Sequence, residues 1–200
     1  MSDTNESGSE PGTNGEYLLA QFGDRKQRRL TLSMMLDPTD LPGNGWSVRA
    51  HKSWRTGKVG TKNERRDRAQ QTGAYTGLRT YWNPNARRNV AARISPMASM
   101  ADAEKEVPGW GLVLMVRPSG DGSVSEETEV EDVRIPHLPN AILTERAANG
   151  PDGATMMRMV RGNVDRVVFV LGCGALGDVW PWDELFIVLN LQVAKIQRAL

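Results

Sequence analysis

The sequence predicts an α+β fold: a curved, mostly antiparallel sheet packed by a long C-terminal helix and one or two short helices. Apolar and polar residues alternate with period two in short segments between residues 46 and 172, as in half-buried strands. From residue 111 to 172 these segments are separated by turn residues, whereas a parallel sheet needs a long crossover between strands. Residues 183–200 have the spacing of one amphipathic helix.

The N-terminal segment differs in composition from the rest of the chain. Residues 1–16 contain no apolar residue after Met1, so they cannot bury enough surface to offset the entropy of ordering. We expect a disordered acidic tail over residues 1–16. The remaining residues, 17–200, suit a single α+β domain with one core.

The first half of the domain predicts two short helices and three strands. Residues 30–36 predict a weak helix, which Asp37-Pro38 ends because the residue before proline avoids the helical region. Ser99 predicts the N-cap of a helix over residues 100–106. Residues 55–73 predict a loop, or a short solvated helix over 64–71. The predicted strands are 46–54, and 74–82 and 88–94 around a turn at Asn83-Pro84-Asn85.

The second half predicts further strands and the terminal helix. Residues 112–116 are a compact apolar run, and 124–135 alternate until the prolines at 136 and 139. Three segments then predict a meander, with turns at 149–153 and at Gly162-Asn163: residues 141–147, 154–161 and 164–172. Acidic residues lie in the first turn of the helix 183–200 and basic residues in its last turn, as the helix dipole favours.

Charge is strongly segregated although the formal net charge is only +1. Residues 1–24 carry −5 and residues 102–132 carry −7, whereas 25–29 carry +4 and 49–93 carry +10. Either the acidic segments neutralise the basic ones within the chain, or the basic half faces a polyanion.

Aromatic residues lie among the bases of this basic half, the combination that binds single-stranded nucleic acid by stacking and charge. The alternative is that the aromatic residues belong to the core. The candidate polyanion-binding residues are Arg49, Lys52, Trp54, Arg55, Arg79, Tyr81, Trp82, Arg87 and Arg88.

No motif in the sequence assembles a catalytic, cofactor or metal site. Residues 172–177 spell G-x-G-x-x-G, but a proline precedes the next helix and no second strand follows, so we expect no dinucleotide cofactor. Cys173 has no base within a recognisable spacing. His51 and His137 are isolated, and with one cysteine they make no metal-ligand set. We therefore expect a protein that is not an enzyme, and an enzyme of unrecognised chemistry stays an alternative.

The N-terminus lacks the basic and apolar regions of a signal peptide, and no stretch reaches the ~18 apolar residues of a membrane span. These observations predict a soluble, cytoplasmic protein.

The order of several segments resembles a known group of domains. These segments are residues 41–46 (Leu-Pro-Gly-Asn-Gly-Trp), 93–99, 133–141, 161–164 and the helix end at 194–196. The pattern, over residues 41–200, resembles actinobacterial sensor and lipoprotein domains of the PknH extracellular type, and more distantly PsbP-like folds. The resemblance implies a layered α+β domain with a curved antiparallel sheet and a cleft that binds ligands without catalysis.

The sequence analysis thus predicts a non-enzymatic ligand-binding or protein-interaction module of an actinobacterial type. A cleft between sheet and helix would take a small apolar ligand or a protein partner. The wide apolar stripe of helix 183–200 is compatible with self-association. The alternative is a nucleic-acid or polyanion-binding protein that uses residues 49–93.

Overall fold

The computed structural model describes residues 24–55, 75–109, 128–130, 133–150 and 153–200. One-turn 3-10 helices occur within them at Pro38–Asp40 and Val107–Gly109. The α-helices and strands are, in chain order, α1 (Asp24–Ser33), β1 (Ser47–Arg55), β2 (Tyr75–Asn83), β3 (Arg88–Pro96), α2 (Met100–Glu106), β4 (Thr128–Glu129), β5 (Ile142–Gly150), β6 (Gly153–Val164), β7 (Val167–Leu176) and α3 (Trp182–Ala199).

The strands of the described residues form one seven-stranded sheet in the order β1-β2-β3-β7-β6-β5-β4. Every neighbouring pair is antiparallel. The β3–β7 pair joins strands that are distant in sequence, so the two halves of the chain share one sheet. The predicted α+β fold is confirmed.

The two faces of the sheet are covered by different helices. On one face, α1 and α3 pack against Phe169 and Leu171 of β7. On the other face, α2 packs through Ala103 against Val168 and Val170. Because successive residues of a strand point to opposite faces, β7 is buried on both, which explains its continuous apolar run.

The hairpin between β6 and β7 corrects one prediction. Its turn is not at Gly162-Asn163 but at Asp165-Arg166, where Asp165 has a φ of 50°. Aspartate tolerates this left-handed conformation better than most residues. Gly162 instead lies within β6 opposite Phe169, where a Cβ atom would lie 3.3 Å from the phenyl ring. This glycine serves close packing rather than a turn.

The predicted helices are present with small changes. The predicted helix over 100–106 is confirmed, and the Ser99 Oγ accepts a hydrogen bond from the backbone N–H of Asp102 at 3.1 Å. Helix α3 agrees with the predicted 183–200 within one residue at each end. Helix α1 begins before the predicted 30–36 and ends at Ser33, and Leu36 lies beyond the helix in the core.

Some predictions fall on other parts of the chain. The predicted tail over 1–16, the alternative helix over 64–71 and the predicted strand over 112–116 lie outside the described residues. Within 124–135 the described residues form only the short strand β4. Val133 and Ile135, which belong to no strand, pack instead against the core under α1 and α3.

A candidate ligand-binding depression

A surface depression of about 470 Å³ lies where the loop before β1 meets the β2–β3 turn and the start of α3. The depression is wide open to solvent rather than enclosed, so a ligand bound there would keep part of its surface in water. We call it the asparagine depression. It is lined by Pro42, Gly43, Asn44, Asn83, Asn85, Ala86, Arg88 and Glu184.

The loop of residues 42–46 forms one wall and is fixed at both ends. Gly43 and Gly45 have φ values of 81° and 92°, which L side chains rarely adopt. The indole Nε1–H of Trp46 donates to the carbonyl oxygen of Pro42 at 2.8 Å. The sequence Pro-Gly-Asn-Gly-Trp therefore folds into a tight loop that presents Asn44 outward.

The β2–β3 turn forms the second wall, and the buried side chain of Asn83 ties it to the first. The Asn83 Nδ2 donates to the carbonyl oxygen of Asn44 at 2.9 Å, and its Oδ1 accepts from the backbone N–H of Ala86 at 3.1 Å. The second bond closes an Asx-type turn. The side-chain amide of Asn83 is therefore occupied in holding the two loops together, and only 3% of the residue's surface is exposed.

An ion pair forms the third wall. The Arg88 guanidinium donates a hydrogen bond to the carboxylate of Glu184 in the first turn of α3. Arg88 also lies over the ring of Trp180, with 5.0 Å from its Cζ atom to the ring centroid. Trp180 in turn stacks on Trp46 at 5.7 Å between centroids. These aromatic and cation–π contacts hold Arg88 in place beneath the depression.

The polar groups left for a ligand are the amides of Asn44 and Asn85. Both residues are exposed, and neither side chain has a hydrogen-bond partner in the described part of the chain. Each amide offers a carbonyl acceptor and an NH₂ donor. The depression therefore combines free hydrogen-bonding groups with loops that are already fixed, which lowers the entropic cost of binding.

The sequence analysis missed this site. It treated residues 41–45 and Asn83-Pro84-Asn85 only as turn signals, which they are. A usable signal was the asparagine in both turn segments, Asn44 before β1, and Asn83 and Asn85 at the β2–β3 turn. Nothing in the sequence showed that these loops meet, because their contact depends on the bond from Asn83 to Asn44.

The described members of the candidate polyanion-binding set differ in exposure and in their partners. Arg49, Lys52 and Arg87 are exposed, and Trp82 is partly exposed. Tyr81 is buried, with 1% exposed, and its hydroxyl donates to the carbonyl oxygen of Leu36 at 2.6 Å. Polyanion binding by this set is untested. Arg79 and Arg88 are ion-paired, and the side chains of Trp54 and Arg55 lie outside the described residues.

Arg79 belongs to a charge cluster that joins β2, the segment after α1, and α3. It contacts Asp37, and the Lys195 Nζ lies 2.6 Å from carboxylate oxygens of both Asp37 and Asp40. The hydrogen bond from Lys195 lowers the pKa of Asp37 below its usual value. Burial opposes the charge of Lys195, but its bonds to the two carboxylates outweigh burial and raise its pKa.

The remaining chemical candidates lie apart from the depression. Cys173 is buried within β7, and burial raises the pKa of its thiol well above the usual range. His51 accepts a hydrogen bond from Arg79 at 3.1 Å, and His137 is exposed. The described residues contain no group of three metal-ligating side chains. None of the helices described here is long and apolar enough to span a membrane.

A second groove of about 250 Å³ lies between α3 and the segment before β5. Three apolar residues, Ile135, Leu138 and Val193, line it together with His137, Asn190 and Gln197. On the outer side of α3, Ile187 is 52% exposed. Self-association through α3 remains a prediction.

The fold defines the class of protein: an α+β domain built on an open antiparallel sheet, with a surface depression where two loops meet the start of α3. No protein-family model and no curated protein matches the sequence. Among solved structures, the extracellular domain of PknH from Mycobacterium tuberculosis is similar, with a TM-score of 0.56 and 9% identity over 88% of this chain and 97% of that one. An uncharacterised Mycobacterium smegmatis protein, the Rv0999 ortholog, gives a TM-score of 0.42 and 12% identity over 90% of this chain and 99% of that one.

The similarity to PknH confirms the predicted resemblance at the level of the fold. It contradicts the predicted cytoplasmic location, because the solved domain that shares the fold is extracellular. That prediction rested on the absence of a leader pattern, which is not a positive signal for the cytoplasm. The similarity gives the fold and not the source organism, so an actinobacterial origin is unsupported.

Proposed function

We propose that the chain is a non-catalytic binding domain, and that its ligand site is the asparagine depression. The observation that carries this proposal is the pair of exposed, unpartnered amides of Asn44 and Asn85 on loops that Asn83 holds in a fixed arrangement. The lining offers amide groups beside apolar surface, so we propose a ligand that carries polar groups, and the small apolar ligand that the sequence suggested stays a prediction. Similarity to an extracellular domain supports a role outside the cytoplasm.

The proposal is tested by mapping where small probes bind to ¹⁵N-labelled protein by NMR. The panel contains N-methylacetamide, acetate, methylguanidinium and isopropanol, one probe each for neutral polar, anionic, cationic and apolar chemistry. We expect at least one polar probe to shift the backbone amides of Gly43 and Ala86 and the side-chain amide of Asn85. Shifts confined to the groove around Val193, or no shifts with any probe, would refute the proposal.

A second candidate function is polyanion binding along the exposed edge of the sheet. Arg49 and Lys52 on edge strand β1, and Arg87 at the nearby turn, are exposed, which favours it. Fluorescence anisotropy with a labelled single-stranded oligonucleotide at about 50 and 200 mM salt tests this. Binding that weakens steeply with salt, and that falls in Arg49→Ala/Lys52→Ala but not in Lys105→Ala on α2, would support it. Absence of binding at the lower salt would exclude it.

A further inference from the structure

We infer that the asparagine depression takes a neutral, polyhydroxylated ligand, of which a single sugar residue is the simplest form. This inference rests on the proposed function, because it names the ligand class for the same site. It follows from the hydrogen-bonding character and the charge of the lining.

A hydroxyl group donates one hydrogen bond and accepts others, so a polyhydroxylated ligand needs both roles in its site. The amides of Asn44 and Asn85 supply both. Arg88 adds donors and Glu184 adds acceptors, side by side. An anion would use only the donors and a cation only the acceptors, so either would leave half of these groups without a partner in the ligand.

The charge of the lining points the same way. Its two charged residues, Arg88 and Glu184, have opposite signs and are already paired. The residues that directly precede this pair in the chain are Arg87 and Asp183, which also have opposite signs and are exposed. A site without net charge gives no Coulombic advantage to a charged ligand over a neutral one.

The remaining lining suits the carbon skeleton of a sugar. The ring of Pro42 and the methyl group of Ala86 lie among the polar groups and offer small apolar surfaces to C–H groups. Trp180, by contrast, is fully buried beneath Arg88, so it supports the site without contacting a ligand.

The test is an NMR titration with sugars that share one ring and differ in charge. D-Glucose, D-mannose and D-galactose are the neutral probes, glucuronate is the anion and glucosamine the cation. We expect the best neutral sugar to shift the NMR signals of Gly43, Ala86 and Asn85. Its Kd should be millimolar and about threefold or more below the Kd of each charged analogue. Asn44→Ala and Asn85→Ala should each weaken binding by about 3–10-fold, the effect of one hydrogen bond. Asn190→Ala, an exposed asparagine on α3, should leave it unchanged.

The outcomes separate this inference from the proposed function. If the simple polar probes shift the NMR signals of residues in the depression and no neutral sugar does, the proposed ligand class is wrong and the proposed site stands. If a charged sugar binds as tightly as the best neutral one, the inference is also overturned. If neither the simple probes nor the sugars bind there, both proposals fail.

Discussion

Gln192 shows how a single polar residue links α3 to the segment after α1 across an apolar interface. Its Nε2 donates to the carbonyl oxygen of Met34 at 2.6 Å, and its side chain is fully buried. The apolar spacing of helix 183–200 identified most of the buried face of α3 but not this position. A glutamine within an apolar stripe gives no sign of its partner, since Met34 lies 158 residues away along the chain.

Gln192→Leu should therefore destabilise the protein. The substitution replaces the amide with an apolar side chain of similar size and leaves the carbonyl of Met34 without a donor in the core, which costs about 1–3 kcal/mol. Removal of the buried Gln192 Oε1, which has no hydrogen-bond partner in the described part of the chain, offsets part of this cost. The free energy of unfolding in urea measures this. Gln197→Leu, the same change at an exposed position of α3, is the control and should alter stability by less than about 0.5 kcal/mol. Equal effects of the two substitutions would contradict the assignment.

Asp37 predicts a pH dependence of stability. Its pKa in the folded protein is below the usual value because of the hydrogen bond from Lys195, so its contribution is present above about pH 4 and lost as the pH falls further. Asp37→Asn should be less stable than the wild type at pH 7, and the difference should shrink below pH 4. Urea unfolding at several pH values measures it, with Glu129→Gln on exposed β4 as the control. A difference independent of pH would show that the ion pair contributes nothing.

At the scale of elements, the residue pattern predicted six of the strands, β1–β3 and β5–β7, because period-two alternation and short apolar runs between turn residues are typical of strands. It also predicted their antiparallel pairing. It failed at the β6–β7 turn, where the glycine at 162 packs under Phe169. It also gave no strand order. The pairing of β3 with β7 depends on contacts between residues about 80 positions apart, such as Val90 and Cys173.

The approach of α1 and Met35 to β2 leaves little space at Gly77. A Cβ atom on Gly77 would lie 3.0 Å from the Met35 Sδ and 3.1 Å from the Thr31 Cγ2, while the Thr31 hydroxyl donates to the carbonyl oxygen of Tyr75 at 2.9 Å. Gly77→Ala should push α1 from the sheet and reduce the free energy of unfolding by about 1–3 kcal/mol. Gly109→Ala, where a Cβ meets nothing within 4 Å, should have little effect. An unchanged stability of Gly77→Ala would contradict this packing.

At the scale of the whole molecule, the sheet positions two loops and the start of a helix around the asparagine depression. Three parts of the chain that are distant in sequence, represented by Asn44, Asn85 and Glu184, supply its lining. The resemblance seen in the sequence predicted a domain with a ligand-binding cleft. Of the basic and aromatic residues proposed from the sequence to bind a polyanion, only Arg88 lines the asparagine depression.

The most direct test of this account repeats the NMR mapping with the four small probes on the double variant Asn44→Ala/Asn85→Ala. The variant should keep the thermal stability of the wild type within a few degrees, because both side chains are exposed. We predict that the shifts of Gly43 and Ala86 caused by polar probes are lost in this variant and retained in Asn190→Ala. Shifts that persist in the folded double variant would show that the two amides do not form the binding site.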